Sequence, residues 1–140
     1  NNITRFYEAT GKGVALESCI SLHNYFNVDQ YYDYFLDKPY VRLVNQNHFV
    51  DSPRYNSIHC LPDDILMSQK EKNLIILEKY KDHPKFGKTN YTAMESIKPT
   101  KNFNGECTKE AAFNQIDKVN KMRGFDLLDF VPELLEWRHK

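Results

Sequence analysis

The stretch Tyr55–Tyr80, YNSIHCLPDDILMSQKEKNLIILEKY, constrains the fold more than any other part of the sequence. Pro62 stands where a helix can begin, because the N–H group that proline lacks has no partner in a first turn. Asp63 and Asp64 follow, and carboxylates are favourable at the positive end of the helix dipole. We expect the longest helix here, ending near 82–84. Its apolar face would consist of Ile65, Leu66, Leu74, Ile75, Leu77 and Tyr80.

Helix and strand patterns alternate along the rest of the chain. The predicted helices are 3–10, 29–36, 91–97 and 108–123, and the predicted extended segments are 14–22, 40–44 and 56–60. Polar loops are expected at 45–53 and 99–107. Because a helix followed by a strand is typical of repeating βα units, the sequence predicts a mixed α/β fold.

The helix predicted at 108–123 has clear signals at both ends. Thr108 is a suitable N-cap, and Gly124 is the residue type that commonly follows a helix. A short apolar tail is expected at 126–137. The buried face of the helix is predicted to be Ala112, Phe113, Ile116, Val119 and Met122.

Charge and cysteine content exclude several classes of function. Lysine plus arginine number 19 and aspartate plus glutamate number 19, so the chain lacks the basic excess of a duplex-binding domain. No apolar run reaches the length of a membrane span. Cys19, Cys60 and Cys107 are odd in number and far apart, which predicts a reducing, cytoplasmic compartment without structural disulfides.

No local motif for metal binding or phosphate binding is present. His59 and Cys60 are adjacent, so their side chains would diverge in a strand, and no C-x-x-C pair occurs. The segment 11–13 lacks the spacing of a P-loop. Cys60 and Cys19 are predicted to be small core residues. A Cys/His nucleophilic pair of Cys19 with His23 remains an alternative, but no local signature supports it.

Aromatic residues are concentrated between Tyr25 and Phe35. Such a cluster can stack on bases or sugars, but it more often forms core with its hydroxyl groups at the surface. Asp63 and Asp64 resemble a catalytic pair of carboxylates, yet a helix N-terminus explains both.

Three segments together resemble a known family. They are 21–24 (SLHN), 53–63 (PRYNSIHCLPD) and 116–134 (IDKVNKMRGFDLLDFVPEL). In this order they are similar to the C-terminal part of radical S-adenosylmethionine proteins of the twitch/SPASM-related type, which bacteria and bacteriophages encode. The resemblance covers roughly residues 14–137.

The resemblance implies a fold, cofactors and two site residues. The chain would contain the last βα elements of a partial (β/α) barrel at 1–50 and a largely helical C-terminal extension at 51–140, forming one compact unit. The family cleaves S-adenosylmethionine at a [4Fe–4S] cluster and generates a radical. Ser21 and Asn24, at the C-terminal end of a barrel strand, would face cofactor or substrate.

The family's cluster-binding motif, C-x-x-x-C-x-x-C, is absent from this sequence. The resemblance therefore implies a C-terminal, barrel-closing and substrate-shaping portion whose N-terminal half, in this or another chain, holds the cluster and S-adenosylmethionine. On its own the chain would not be an enzyme. The alternative is a non-catalytic interaction or structural protein, such as a viral accessory or virion component, that binds a partner through its tyrosine-rich segment Tyr25–Tyr40.

Overall fold

The structure, a computed structural model, describes residues 2–99 and 108–140 and confirms a mixed α/β fold. The helices and strands are α1 Asn2–Thr10, β1 Val14–Ile20, α2 Val28–Leu36, β2 Val41–Phe49, α3 Asp63–Glu78, α4 Asn90–Glu95, α5 Lys109–Arg123 and α6 Pro132–His139. Three 3-10 turns lie at Arg54–Asn56, Ile58–Cys60 and Leu127–Asp129. The loop predicted at 99–107 falls almost entirely outside the described residues.

Strands β1 and β2 form a two-stranded parallel sheet. The N–H group of Val14 donates to the carbonyl oxygen of Tyr40 at 2.8 Å, and the N–H of Val50 donates to that of Ile20 at 2.9 Å. The two strands thus begin together and end together. Helix α2 makes the crossover connection that parallel strands require. A partial barrel remains a prediction.

Strand β2 is longer than predicted, because it continues to Phe49 where we expected a polar loop. Its polar side chains have partners that the sequence does not reveal. The amide of Asn45 donates to Glu17 at 2.6 Å, and that of Asn47 donates to Oγ1 of Thr89 at 2.7 Å. Gln46 is buried. These hydrogen bonds satisfy the amide groups of Asn45 and Asn47, although Oδ1 of Asn47 is buried without a partner among the described residues.

The segment 56–60 is not extended, and this prediction was wrong. Two 3-10 turns meet there at Ser57, whose Oγ accepts from the backbone N–H of His59 at 3.3 Å. The N–H of Leu61 donates to the carbonyl oxygen of Ile58. A serine that bonds to nearby backbone offers the chain an alternative to a strand ladder.

Helix α3 begins as predicted, with Asp63 and Asp64 in its first turn. Its buried stripe differs from the predicted apolar face, because Ile75 is 68% exposed. The stripe follows helical spacing through two polar residues and consists of Leu66, Gln69, Asn73 and Leu77. Apolar periodicity therefore located the helix and missed which side of it is buried.

The described chain forms two compact units whose segments alternate along the sequence. The first unit comprises Asn1–Cys19, Val28–His48 and Lys70–Ile97, and the second comprises Ile20–Asn27, Phe49–Gln69 and Lys98–Lys140.

The core of the first unit contains an aromatic cluster centred on the fully buried Tyr32. Its ring stacks on Tyr80, with centroids 5.5 Å apart, and lies 5.1 Å from Phe86. Phe86 also forms a parallel bridge with Val44 of β2. Between Tyr25 and Phe35 the buried aromatic residues are Tyr25, Phe26 and Tyr32, and burial raises the pKa of Tyr32 well above its usual range.

The second unit contains α5 and α6, where the rings of Phe113 and Trp137 lie 4.9 Å apart. Thr108 caps α5 as predicted, since its Oγ1 accepts from the N–H of Ala111 at 3.1 Å. Gly124 ends α5 with a φ of 71°, a conformation that favours glycine. Met122 was wrongly predicted to be core, because it is 69% exposed.

Candidate functional site

The second unit contains an open cavity of about 340 Å³. Three stretches of the sequence supply its walls: the turn after β1, the 3-10 turn at Arg54–Asn56, and α5 with the turn that follows it. The lining residues are His23, Asn56, Gln115, Val119, Arg123, Phe125 and Leu127. The lining is about equally polar and apolar, which distinguishes the cavity from a packing defect in an apolar core.

The turn that carries His23 is held by short-range hydrogen bonds. Oδ1 of Asn24 accepts from the backbone N–H of Ser21 at 2.8 Å, and the N–H of Tyr25 donates to the carbonyl oxygen of Ser21 at 3.0 Å. The N–H of Leu22 donates to the carbonyl oxygen of Asn56 at 2.8 Å. These bonds tie His23 and Asn56 to the same wall of the cavity.

The ring of His23 is paired on one side only. Its Nε2 lies 3.1 Å from Oδ1 of Asn56. An amide oxygen only accepts hydrogen bonds, so Nε2 donates in this arrangement. Nδ1 is buried and has no hydrogen-bond partner among the described residues.

Helix α5 contributes Gln115, Val119 and Arg123, which are four residues apart and therefore share one face of the helix. After Gly124 reverses the chain, Phe125 and Leu127 complete the wall. The turn is fixed by Asn120.

Oδ1 of Asn120 accepts from the N–H of Leu127 at 3.0 Å, and its amide donates to Asp126 at 2.6 Å. Asn120 does not line the cavity, so these hydrogen bonds hold the turn with Phe125 and Leu127 in place from outside it.

Arg123 is exposed and makes no ion pair within residues 2–99 and 108–140. Arg138, in the same unit, is different. Its guanidinium donates two hydrogen bonds of 2.8 Å to Asp117, and these raise its pKa. The cavity thus has at its edge a cation that no described carboxylate neutralises.

The residues predicted to face cofactor or substrate, Ser21 and Asn24, bond to each other and do not line this cavity. Their predicted role stays a prediction. His23, which lies between them, does line it. The sequence analysis considered His23 only as a partner of Cys19 and within the segment 21–24, and it did not single out Gln115. Of the three residues of α5 that line the cavity, only Val119 belonged to the predicted buried face.

No group of three or more His, Cys, Asp or Glu side chains that could hold a metal ion occurs among the described residues. Cys60 is buried as predicted, but it is disulfide-bonded. Cys19 is exposed, so its predicted place in the core was wrong. Disulfides are typical of oxidising compartments, and Cys60 therefore gives no support to the predicted reducing compartment.

The chain matches no protein-family model. It also has no significant match among curated proteins or among solved structures. In the part of the chain that the structure describes, no helix is long and apolar enough to cross a membrane.

Proposed function

We propose that this chain is the C-terminal, substrate-shaping portion of a radical S-adenosylmethionine enzyme, in which β1, α2 and β2 are the last elements of a partial (β/α) barrel. One observation carries the proposal. The segments 21–24, 53–63 and 116–134, which bear the family resemblance and are distant in sequence, all belong to the second unit. Each of them contributes at least one residue to the same cavity.

In this proposal the chain's own residues shape a pocket and do not perform the radical chemistry. His23, Gln115 and Arg123 bind and orient the substrate, while Ser21 and Asn24 face cofactor or substrate beyond the cavity. In this proposal the [4Fe–4S] cluster and S-adenosylmethionine supply the radical chemistry in an N-terminal half of the barrel that is encoded upstream of Asn1.

The described residues themselves do not fit an iron–sulfur cluster. Such clusters are held by several cysteine thiolates. Cys19 is exposed, Cys60 is disulfide-bonded, and the described chain groups no three metal-ligating side chains. The cluster must therefore come from outside these residues, and no step of the reaction is assigned to them.

The coding sequence upstream of Asn1 tests the proposal. A C-x-x-x-C-x-x-C motif within a few hundred codons would support it, and a start codon immediately before Asn1 would contradict it. The full-length product, purified without oxygen, should then contain about four irons and four sulfides. Alanine substitution of the upstream cysteines should abolish this iron content, whereas Cys19→Ala should preserve it.

A non-catalytic partner-binding function through Tyr25–Tyr40 is the second candidate. Tyr34 favours it, being 56% exposed with the ammonium of Lys38 4.2 Å above its ring. Tyr25 and Tyr32 count against it, because both are fully buried. A contact surface in this segment would consist of Tyr34 and the partly exposed Tyr31, Phe35 and Tyr40.

A further inference from the structure

Strand β1 has one edge that pairs with no other strand of the described chain. The N–H group of Val14 and the carbonyl oxygen of Ile20 both bond to the backbone at the two ends of β2. Successive residues of a strand present their backbone groups to opposite edges, so those of Ala15 and Glu17 face away from β2. On that side neither residue has a backbone hydrogen bond within the described residues, and Glu17 is exposed.

The sheet of β1 and β2 also has an uncovered face. Parallel sheets occur almost only where both faces are covered, because their crossover helices lie on those faces. Here Glu17 and Cys19, which share one face of β1, are both exposed. A strand edge with unpaired N–H and C=O groups is a template for a further strand. The edge of β1 at 15–17 is therefore a docking surface for an extended segment.

Helix α1 indicates which segment occupies this edge. It ends at Thr10, directly before the turn that leads into β1, and none of its described residues is buried. Its ring of Phe6 is 47% exposed. Consecutive parallel strands are joined by a crossover connection, usually a helix, as α2 joins β1 to β2. A helix in the position of α1 would serve the same purpose for a strand that precedes it, and the added strand would give it a surface to pack against.

A second copy of this chain fits the edge less well. Two copies joined by a twofold axis would pair their β1 strands antiparallel, which brings the exposed carboxylates of the two Glu17 side chains close together. Like charges that face each other across a strand pair are destabilising. Pairing between copies would also give α1 no role as a crossover.

We propose that a strand encoded immediately upstream of Asn1 adds to the open edge of β1, parallel to it, with α1 as the crossover helix. Its backbone accepts hydrogen bonds from the N–H groups of Ala15 and Glu17 and donates to their carbonyl oxygens. The inference rests on the proposed function for the existence of an upstream segment, and it deepens that function by naming the edge at which this segment attaches.

Amide hydrogen exchange at single-residue resolution tests the proposal, in the 140-residue chain and in the longer chain that begins at the upstream start codon. The amides of Leu16 and Ser18 face β2 and are matched controls on the same strand. In the 140-residue chain the amides of Ala15 and Glu17 should exchange at least about tenfold faster than these controls. In the longer chain their exchange should slow by about a hundredfold or more, and the controls should change far less.

Ala15→Pro removes the N–H group at the open edge without removing a bond to β2, and proline is tolerated at such positions. In the longer chain it should abolish most of the added protection at Glu17. Ala15→Ser keeps the N–H group and should retain that protection. Both variants are compared within the longer chain, so this result does not depend on how the 140-residue chain behaves alone.

Unchanged exchange at Ala15 and Glu17 in the longer chain would overturn the proposal, and so would a start codon directly before Asn1. Protection that appears in the 140-residue chain together with a dimer in sedimentation would assign the edge to a second copy instead. An upstream segment that protects both amides but has no cysteine motif would keep this inference and contradict the proposed function. An upstream cysteine motif with both amides unprotected would do the reverse.

Discussion

Asn90 in the first unit and His23 in the second show two ways of placing a polar side chain below the surface. Both sides of the Asn90 amide are engaged: Oδ1 accepts from the N–H of Gln46, and Nδ2 donates to the carbonyl oxygen of Val44, each at 2.8 Å. Only one nitrogen of His23 is engaged, by Asn56. The first arrangement satisfies the backbone of β2, and the second leaves one ring nitrogen without a partner among the described residues.

The difference matters for stability. A fully paired buried amide contributes to stability, and its removal leaves backbone groups without partners. A half-paired buried group contributes less, because its second polar atom is buried without a partner. The same holds for the hydroxyl group of Tyr32 and for Oδ1 of Asn47, which are also buried without a partner among the described residues.

The largest effect should come from Asn90→Ala. The buried N–H of Gln46 would lose its partner, and Val44 would keep only the bond from the N–H of Gly87 at 2.9 Å. We expect a loss of about 3 kcal/mol in the free energy of unfolding, measured by urea denaturation.

Asn47→Ala is the matched control for this substitution. Asn47 lies on the same strand and makes an exposed side-chain bond to Thr89, so its loss should cost below about 1 kcal/mol. Equal costs for the two variants would show that the hydrogen bonds of Asn90 to Gln46 and Val44 contribute no more to stability than an exposed side-chain bond.

Gly87→Ala should have the next largest effect, and it tests how tightly the chain packs around the side chain of Asn90. A Cβ at Gly87 would overlap Oδ1 of Asn45, and it would lie 2.9 Å from Oδ1 of Asn90 and 3.0 Å from the carbonyl oxygen of Val44. We expect about 2 kcal/mol of destabilisation by urea denaturation.

Gly124→Ala provides the contrast in the second unit. Nothing lies within 4 Å of its Cβ position, so the cost arises from the positive φ alone, about 1 kcal/mol. A Gly87→Ala variant as stable as wild type would mean that β2 and Asn90 can shift freely.

The sequence predicted the parts of the fold that depend on local signals. Pro62 with two aspartates predicted the start of α3, and Thr108 with Gly124 predicted both ends of α5. The extension of β2 to Phe49 could not be predicted, because Asn45 and Asn47 find partners distant in sequence. Local propensity favours loops for asparagine, and tertiary hydrogen bonds override that preference.

The candidate site was predicted only in outline. The end of β1 was expected to face a site, and the turn after it does carry His23. The identity of the lining residues required the positions of α5 and of the 3-10 turn at Arg54–Asn56, which periodicity does not supply. Val119 shows how little helical periodicity alone can predict, because the same spacing is found for a residue in the core and for a residue that lines a cavity.

His23→Leu should have a smaller effect on stability than either substitution near Asn90. It removes the unpaired Nδ1 but leaves Oδ1 of Asn56 without its ring partner, so the two contributions nearly offset each other. We expect a change below about 1 kcal/mol in urea denaturation. A cost as large as that of Asn90→Ala would show that His23 stabilises the fold as much as Asn90 does.

The smallest effect should be the pH dependence that His59 contributes. Like His23, it is a partly buried histidine of the second unit, but its Nδ1 has a partner in Oγ of Ser57 at 3.3 Å. Burial lowers its pKa, opposed by the nearby carboxylates of Asp51 and Asp63. Below its usual pKa of about 6.5, the unfolded chain therefore takes up the proton more readily than the folded chain.

Stability from this group is present above about pH 6.5 and is lost as the pH falls towards the lowered folded pKa. Urea denaturation at a series of pH values between about 7.5 and 5 should show this loss in the wild type and a flatter profile in His59→Gln. An unchanged slope in His59→Gln would show that His59 is not the acid-sensitive group.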